Sequence, residues 1–144
     1  MANYTCATRT NYFRVNDAES FKAFMARAYG TEDRVDLWEE KDKDGNTVYG
    51  FGTLGSIAGL RAVSDEDEED DCDYDAFVDG IQKFVADGDA IIILESGHEK
   101  LRYVAGGALV ITKDQCEYLD ISDEAKKLAA KLLGNPEWAT KCEY

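Results

Sequence analysis

The sequence predicts a single α+β domain, residues 1–144, in which about three helices pack on a mostly antiparallel sheet. Residues 90–121 are rich in β-branched and aliphatic side chains, and the Ile-Ile-Ile-Leu run at 91–94 is typical of a strand covered on both faces. Turn residues separate neighbouring β-type runs, as in hairpins, and three segments place apolar residues at helical spacing. The predicted order of elements is β-α-β-β-α-β-β-β-α.

The N-terminal segment predicts a strand followed by an amphipathic helix. Residues 5–15 are β-prone, with a bend near Asn11. Asn16 is the predicted helix N-cap, because Glu19 follows three residues later and can bond back to the backbone. Apolar side chains then recur at helical spacing before Gly30 ends the segment. These side chains are Phe21, Phe24, Met25 and Ala28.

The next two β-type runs predict a hairpin that turns within residues 41–46. Asp44 and Gly45 favour a tight turn, because both residue types tolerate the backbone conformations that such turns need. Asp42, Asp44 and Asn46 also have the alternate spacing of a calcium loop. However, the glycine falls at the fourth position instead of the sixth, and no glutamate closes the loop. The sequence therefore favours a turn, and no metal site is predicted.

Residues 50–55 match the pattern G-x-G-x-x-G of dinucleotide-binding proteins. That motif has its function only between a parallel strand and a helix that packs on it. Here the preceding run is half of a predicted hairpin, and the following residues lead into an acidic stretch. We therefore interpret the match as a strand whose glycines mark bends or a bulge, and predict no cofactor.

Charge is the strongest signal in the composition. The chain has 30 acidic and 16 basic residues, a net charge of −14, and nine of the acids fall between Asp65 and Asp75. Like charges at every spacing predict an exposed loop at about 64–72. An acidic chain is repelled by nucleic acid and by anionic membranes, which leaves a basic protein surface as the predicted partner. The alternative interpretation of the block is a solvated loop that keeps the protein soluble. The candidate contact residues are Asp65, Glu66, Asp67, Glu68, Glu69, Asp70 and Asp71.

The second half of the chain predicts a helix and then a series of hairpins. Asp73 is a candidate N-cap, and a helix face of Phe77, Ile81, Phe84 and Val85 precedes an ending at Asp87-Gly88. Residues 96–100 are a predicted hairpin turn, and a second turn is predicted near Lys113-Asp114.

A last helix is predicted to begin after Ser122 as its cap and to stop at residues 134–136. Its apolar face consists of Ala125, Leu128, Ala129 and Leu132, and Trp138 is predicted to fold back onto the body. The chain has no apolar run long enough to cross a bilayer and no signal peptide, which predicts a cytoplasmic protein.

The residues that could carry chemistry are few. The four cysteines are scattered singly, whereas zinc sites use paired ligands at short spacing, so zinc is not predicted. His98 is the single histidine and lies in a predicted turn, where a solvated side chain is the common case. A catalytic role would require a nucleophile and an orienting partner close to its imidazole. We therefore predict a protein that is not an enzyme.

Residues 11–15, 97–104 and 134–138 carry a resemblance to a known group of proteins. The chain resembles small acidic accessory proteins of conjugative and phage-like elements in Gram-positive gut bacteria. The resemblance implies a setting in which small acidic proteins inhibit restriction or CRISPR nucleases. In that setting the acidic block would occupy a basic groove that otherwise binds DNA.

Three functional hypotheses follow. The first is a non-enzymatic interaction protein, an anti-restriction or anti-CRISPR inhibitor, that blocks a basic nucleic-acid-binding surface through Asp65–Asp71. The second is a module that binds a small molecule or peptide, or forms a homodimer through an exposed sheet edge, with Gly106-Gly107 marking close backbone approach. The third is an enzyme that uses His98.

Overall fold

The computed structural model describes residues 4–61 and 72–141, and within them the chain forms nine strands and three helices. The helices are α1 (Ala18–Met25), α2 (Tyr74–Gln82) and α3 (Ile121–Leu133). The strands are β1 (Thr5–Thr10), β2 (Ala28–Gly30), β3 (Asp36–Lys41), β4 (Thr47–Leu54), β5 (Ile57–Arg61), β6 (Cys72–Asp73), β7 (Ile91–Glu99), β8 (Tyr103–Ile111) and β9 (Cys116–Asp120).

The centre of the fold is a six-stranded sheet with the order β3-β4-β1-β7-β8-β9. Every neighbouring pair in it is antiparallel, and the predicted α+β class is confirmed. β7 contains the Ile-Ile-Ile-Leu run, with Ile91 and Ile93 buried on one face. On the other face Leu94 is exposed. The prediction that both faces of this strand are covered was therefore wrong.

Three short strands were not predicted. β2, β5 and β6 form a second antiparallel sheet with the order β2-β5-β6. The helix predicted to run on to Gly30 ends at Met25, and Ala28 belongs to β2 instead. Ala28 is buried in β2. Its position three residues after Met25 also fits the buried face of a helix, so burial alone does not distinguish the helix from the strand.

The core lies between the six-stranded sheet and a layer made of α1, α2 and the small sheet. Alternate residues of the large sheet point into it, including Tyr49, Phe51 and Ile111. Phe21 of α1 lies at the centre and is fully buried. Its ring contacts three others at centroid distances of 5.3–5.8 Å, those of Phe13, Tyr49 and Phe84.

An aspartate caps each helix N-terminus. The predicted cap Asp73 is confirmed, since its carboxylate accepts the Ala76 N–H at 3.0 Å. The other two caps lie one and two residues from the predicted positions. Asp17, not Asn16, caps α1, because the Asn16 amide instead donates to the Lys83 carbonyl at 2.7 Å. Asp120, not Ser122, caps α3; the helix stops at Gly134, which has a φ of 64°.

The β3–β4 hairpin confirms the turn predicted at residues 41–46. The Asp42 carboxylate accepts the backbone N–H groups of Asp44 and Asn46, each at 2.9 Å, so these residues close the turn. The β7–β8 hairpin differs from the prediction. Residues 96–99 continue β7, and the chain turns at 100–102, where Lys100 adopts a φ of 52°.

The glycines of residues 50–55 lie in β4, as the strand interpretation predicts. A Cβ on Gly52 would lie 2.7 Å from the Thr8 carbonyl and 2.9 Å from the Trp38 ring, so close packing across the sheet requires glycine. Gly55 turns the chain at a φ of 91°, and the next element is the strand β5. The helix that a dinucleotide site requires is replaced by this strand.

Candidate functional site

The acidic block Asp65–Asp71 lies outside the described residues, as do residues 62–64, and the nearest described residues on either side are Arg61 and Cys72. Arg61 and Cys72 are register partners in the antiparallel strands β5 and β6. The chain therefore enters and leaves the block at neighbouring positions. The re-entry point leads directly into α2, where Asp73 and Asp75 lie in the cap and first turn.

Beside this re-entry point, one carboxylate lies among three phenols. We call Glu95, Tyr4, Tyr74 and Tyr118 the tyrosine–glutamate cluster. β7 and β8 are each nine residues long, and the second half of β7 and the first half of β8 extend past the buried part of the sheet. Glu95 follows Ile91 and Ile93 at alternate positions, so it lies on the same face as the core. The Tyr4 hydroxyl donates to Glu95 Oε2 at 3.3 Å.

Two glycines make room for the rings beside Glu95. A Cβ on Gly97 would lie 2.7 Å from Tyr4 Cζ and would also overlap the Thr5 carbonyl. A Cβ on Gly107 would overlap the Tyr118 hydroxyl. Gly107 is the register partner of Glu95, so the phenol of Tyr118 lies over the strand next to this carboxylate.

The predicted close approach at Gly106-Gly107 is therefore made by this chain's own side chains. Gly107 accommodates Tyr118, and Gly106 accommodates Ile121, whose Cδ1 would lie 2.6 Å from an added Cβ. The two glycines point to opposite faces of the sheet because side chains alternate along a strand.

Electrostatics in the cluster disfavour ionisation of the phenols. Burial, followed by the negative charge of Glu95, raises the pKa of Tyr4 to about 12. Burial and then Glu95 also raise the pKa of Tyr74. For Tyr118, burial, then Asp120 and then Glu95 raise the pKa. The three hydroxyls therefore stay neutral at neutral pH and surround a site of negative potential.

A cation fits this arrangement best. A guanidinium or ammonium group can pair with the Glu95 carboxylate while its charge lies against a tyrosine ring. All three tyrosines are partly exposed, with 41% of Tyr4, 43% of Tyr74 and 66% of Tyr118 accessible, so an incoming side chain can reach the cluster. Sequence reasoning missed this cluster. The sequence holds no local signal for it, since its four residues lie far apart along the chain.

The opposite face of the six-stranded sheet is a second candidate surface. We call it the open face. Two adjoining cavities of about 710 and 460 Å³ lie on it. Both are lined by Ala7, Leu54 and Ser96, so they form one continuous groove. Trp38 and Leu94 line one end and Val104 the other. The Arg9 guanidinium lies 5.1 Å from the Trp38 ring centroid.

α3 lies beside this groove with its apolar face exposed. α3 is an amphipathic helix, but none of its residues is buried. Ile121 is the residue that lies against Gly106 on the open face. Leu128 and Leu132, seven and eleven residues further on, are 55% and 78% exposed. Trp138 is partly buried after the turn that follows the helix.

The histidine and cysteines form no catalytic arrangement within the described residues. His98 lies on β7, not in a turn, and in this part of the chain its exposed imidazole makes no hydrogen bond or ion pair. The Cys6 thiol lies 3.3 Å from the Ser56 hydroxyl. Cys6, Cys72 and Cys116 are free, and Cys142 lies outside the described residues. Over residues 4–61 and 72–141, no group of three potential ligands can hold a metal ion.

No protein-family model, curated protein or solved structure matches this chain. None of the helices in residues 4–61 and 72–141 is long and apolar enough to cross a membrane. The functional assignment therefore depends on the geometry and charge of the two surfaces.

Proposed function

We propose that this protein is a non-enzymatic interaction protein that binds a basic surface of another protein. The observation that supports this function is the Glu95 carboxylate, which lies among three partly exposed phenols whose pKa values it helps to raise. The tyrosine–glutamate cluster forms the centre of the contact. An arginine or lysine of the partner supplies the positive charge.

The chemistry of the cluster suits a strong, local contact. Tyrosine side chains present a large amphipathic area and have few rotatable bonds to order on binding. Arginine can form two parallel hydrogen bonds to a carboxylate and can also stack on an aromatic face. Residues of this kind, Tyr and Arg above all, dominate the energetics of protein interfaces. The net charge of −14 speeds the approach of a basic partner at low salt.

The acidic block extends the same surface in this proposal. Its residue Asp71 is joined directly to Cys72 and α2, close in sequence to Tyr74 of the cluster. Arg61 and Cys72, the described residues that flank residues 62–71, are paired across β5 and β6, and a closed loop loses less chain entropy on binding than a free acidic tail. The resemblance to accessory proteins of mobile elements makes a restriction or CRISPR nuclease the expected partner. Such enzymes bind DNA through basic grooves.

The test is retention of host proteins on the immobilised chain at low and at raised salt, with DNA as competitor. Retention of a basic DNA-binding protein that both salt and DNA release would support the proposal. Three variants are compared with wild type. The cluster variant carries Glu95→Gln and Tyr118→Ala. The block variant replaces Asp65, Glu66, Glu68, Glu69 and Asp71 with Ser or Gln. A charge-matched control neutralises five exposed acids elsewhere, Glu19, Glu32, Asp44, Asp114 and Glu137.

The variants separate a specific contact from a general effect of charge. We expect both the cluster and the block variants to lose the partner, whereas the control retains it. Equal loss in the block variant and the control, which each lose five charges, with retention by the cluster variant, which loses one, would show that net charge drives retention, and that result would contradict the proposed site. Loss in the block variant alone would move the contact from the cluster to the block.

A second candidate function, a dimerising module, is favoured by the groove on the open face. This surface lies on the opposite side of the sheet from the cluster, so the two functions can be tested independently.

A further inference from the structure

The open face and the exposed side of α3 are two apolar surfaces that the proposed function does not use. We infer that two copies of this chain associate through them, with the leucine stripe of α3 from one copy lying in the open-face groove of the other. The stripe consists of Leu128 and Leu132, and the groove is lined by Ala7, Leu54 and Leu94.

The groove has room for one further helix. α3 lies against β8 and β9, and within residues 4–61 and 72–141 the cavities of the open face are lined mainly from β3, β4, β1 and β7. Four strands spaced about 4.8 Å apart span roughly 14 Å. A helix with its side chains is about 10–12 Å wide. The small residue Ala7 lines both cavities, whereas Gly50 and Gly52 lie under the rings of Tyr12 and Trp38.

The exposed leucines provide the matching apolar surface. Single exposed leucines are ordinary, but Leu128 and Leu132 lie one turn apart on one side of a helix and are both more than half exposed. The same helix has no buried residue of its own. Packing this stripe into a groove removes apolar surface from water on both partners, which favours association.

Arg9 and Lys100 line parts of the groove, so the charge match with the lysines of α3 is confined to the β3 edge. Three of the six residues from 126 to 131 are lysines, Lys126, Lys127 and Lys131, and none is acidic, in a chain whose net charge is −14. The uncovered edge strand β3 places Asp36 and Glu40 on the open face beside Trp38. A helix that lies along this edge brings its lysines near these carboxylates. The same pairing disfavours an acidic helix of another protein.

The occupant is a second copy because one chain carries both halves of the contact. Two copies related by a two-fold axis make the contact twice, each helix in the other's groove. A groove roughly 14 Å wide and roughly 20 Å long covers about 280 Å² in plan. Two grooves and two helix surfaces then bury roughly 1,100 Å² in total. This area is slightly below about 1,200 Å², the lower limit typical of specific interfaces. The expected dimer is therefore weak, with a Kd on the order of micromolar.

Sedimentation equilibrium over a range of concentrations tests this inference with one groove variant and one helix variant. Leu54→Asp blocks the groove, and the double change Leu128→Asp and Leu132→Asp blocks the helix. All three leucines are more than half exposed, so both variants should fold. We expect wild type to dimerise and each variant alone to be monomeric, with Kd raised at least tenfold. An equal mixture of the two variants should form heterodimers, because the helix of the first still fits the groove of the second.

A charge exchange gives a second readout. Lys131→Glu should weaken the dimer and Asp36→Lys in the same chain should restore it, whereas Lys83→Glu, an exposed lysine at the end of α2, should change nothing. A wild type that stays monomeric well above micromolar concentration overturns the inference, as does a groove or helix variant that dimerises as tightly as wild type. Neither result touches the proposed partner contact, which is measured with Glu95→Gln in the retention assay.

Discussion

Replacing Glu95 with Gln tests the electrostatic design of the tyrosine–glutamate cluster most directly. The substitution removes one negative charge but keeps an oxygen that can accept the Tyr4 hydroxyl, now 3.3 Å from the carboxylate. The pKa of Tyr4 is raised from 10.0 to about 12, first by burial and second by Glu95. We therefore expect the pKa of Tyr4 to fall below about 12 in Glu95→Gln but to remain above 10.0, since burial persists.

The pKa values of the three phenols should respond to Glu95→Gln by different amounts. Glu95 is the second cause of the raised pKa of Tyr74 but only the third cause for Tyr118, after burial and Asp120. The pKa of Tyr118 should therefore change least of the three. Glu99→Gln is the matched control, because Glu99 lies four residues further along the same face of β7 and is not among the causes of these shifts.

Titration of ring-labelled tyrosine by NMR measures each phenol separately, with Tyr4→Phe and Tyr118→Phe to assign the signals. An unchanged pKa of Tyr4 in Glu95→Gln, or an equal fall in Glu99→Gln, would refute the assignment of Glu95 as the central charge. Stability provides an independent readout. Because the pKa of Tyr4 is higher in the folded state, its contribution is fully present below about pH 10. It is lost as the pH rises towards about 12, so alkaline unfolding should shift in Tyr4→Phe.

Three further predictions concern single residues. Gly107→Ala should displace the Tyr118 ring from the cluster, so that its pKa returns towards 10.0 in NMR titration while the fold persists, because the far end of a side chain can move away. Phe21→Ala should lower the free energy of unfolding by about 3–5 kcal/mol in denaturant titration, since its fully buried ring contacts three others. Asp120→Ala removes the cap of α3 and should destabilise that helix by about 1 kcal/mol. Because α3 has no buried residue, hydrogen exchange within it should speed up with little change in global unfolding.

The fold class could be predicted because its determinants are local. The Asp44-Gly45 turn joins two β-type runs, and the structure has a hairpin there. The short strands β2 and β6, of three and two residues, could not be predicted, since they exist through pairing with β5. The shifts of two helix caps have a similar cause. Asn16 and Asp17 are both good caps by residue type, and the bond from Asn16 to Lys83, distant in sequence, decides between them.

The tyrosine–glutamate cluster could not be predicted because its members are far apart in the sequence. Tyr4, Tyr74, Glu95 and Tyr118 come from four separate elements or their edges. The registers along β1, β7, β8 and β9 bring Tyr4, Glu95 and Tyr118 together, and Tyr74 is the first residue of α2. Periodicity likewise could not show which helix faces are buried. The apolar stripe of α3 has the same spacing as those of α1 and α2, yet only α1 and α2 contribute buried residues.

One hairpin, β7–β8, connects the two proposed contacts. Its alternate residues face opposite ways, so Glu95 belongs to the cluster whereas Leu94 and Ser96 line the groove. A dimer formed through the open faces therefore turns both clusters outward. Two clusters on one particle can engage two basic sites of an oligomeric partner, and such bivalence raises the apparent affinity by roughly 10²–10⁴ without any new contact. If both proposals hold, Leu54→Asp should leave the contact at Glu95 intact yet weaken binding to a multivalent basic partner. Binding to a monovalent partner should stay unchanged.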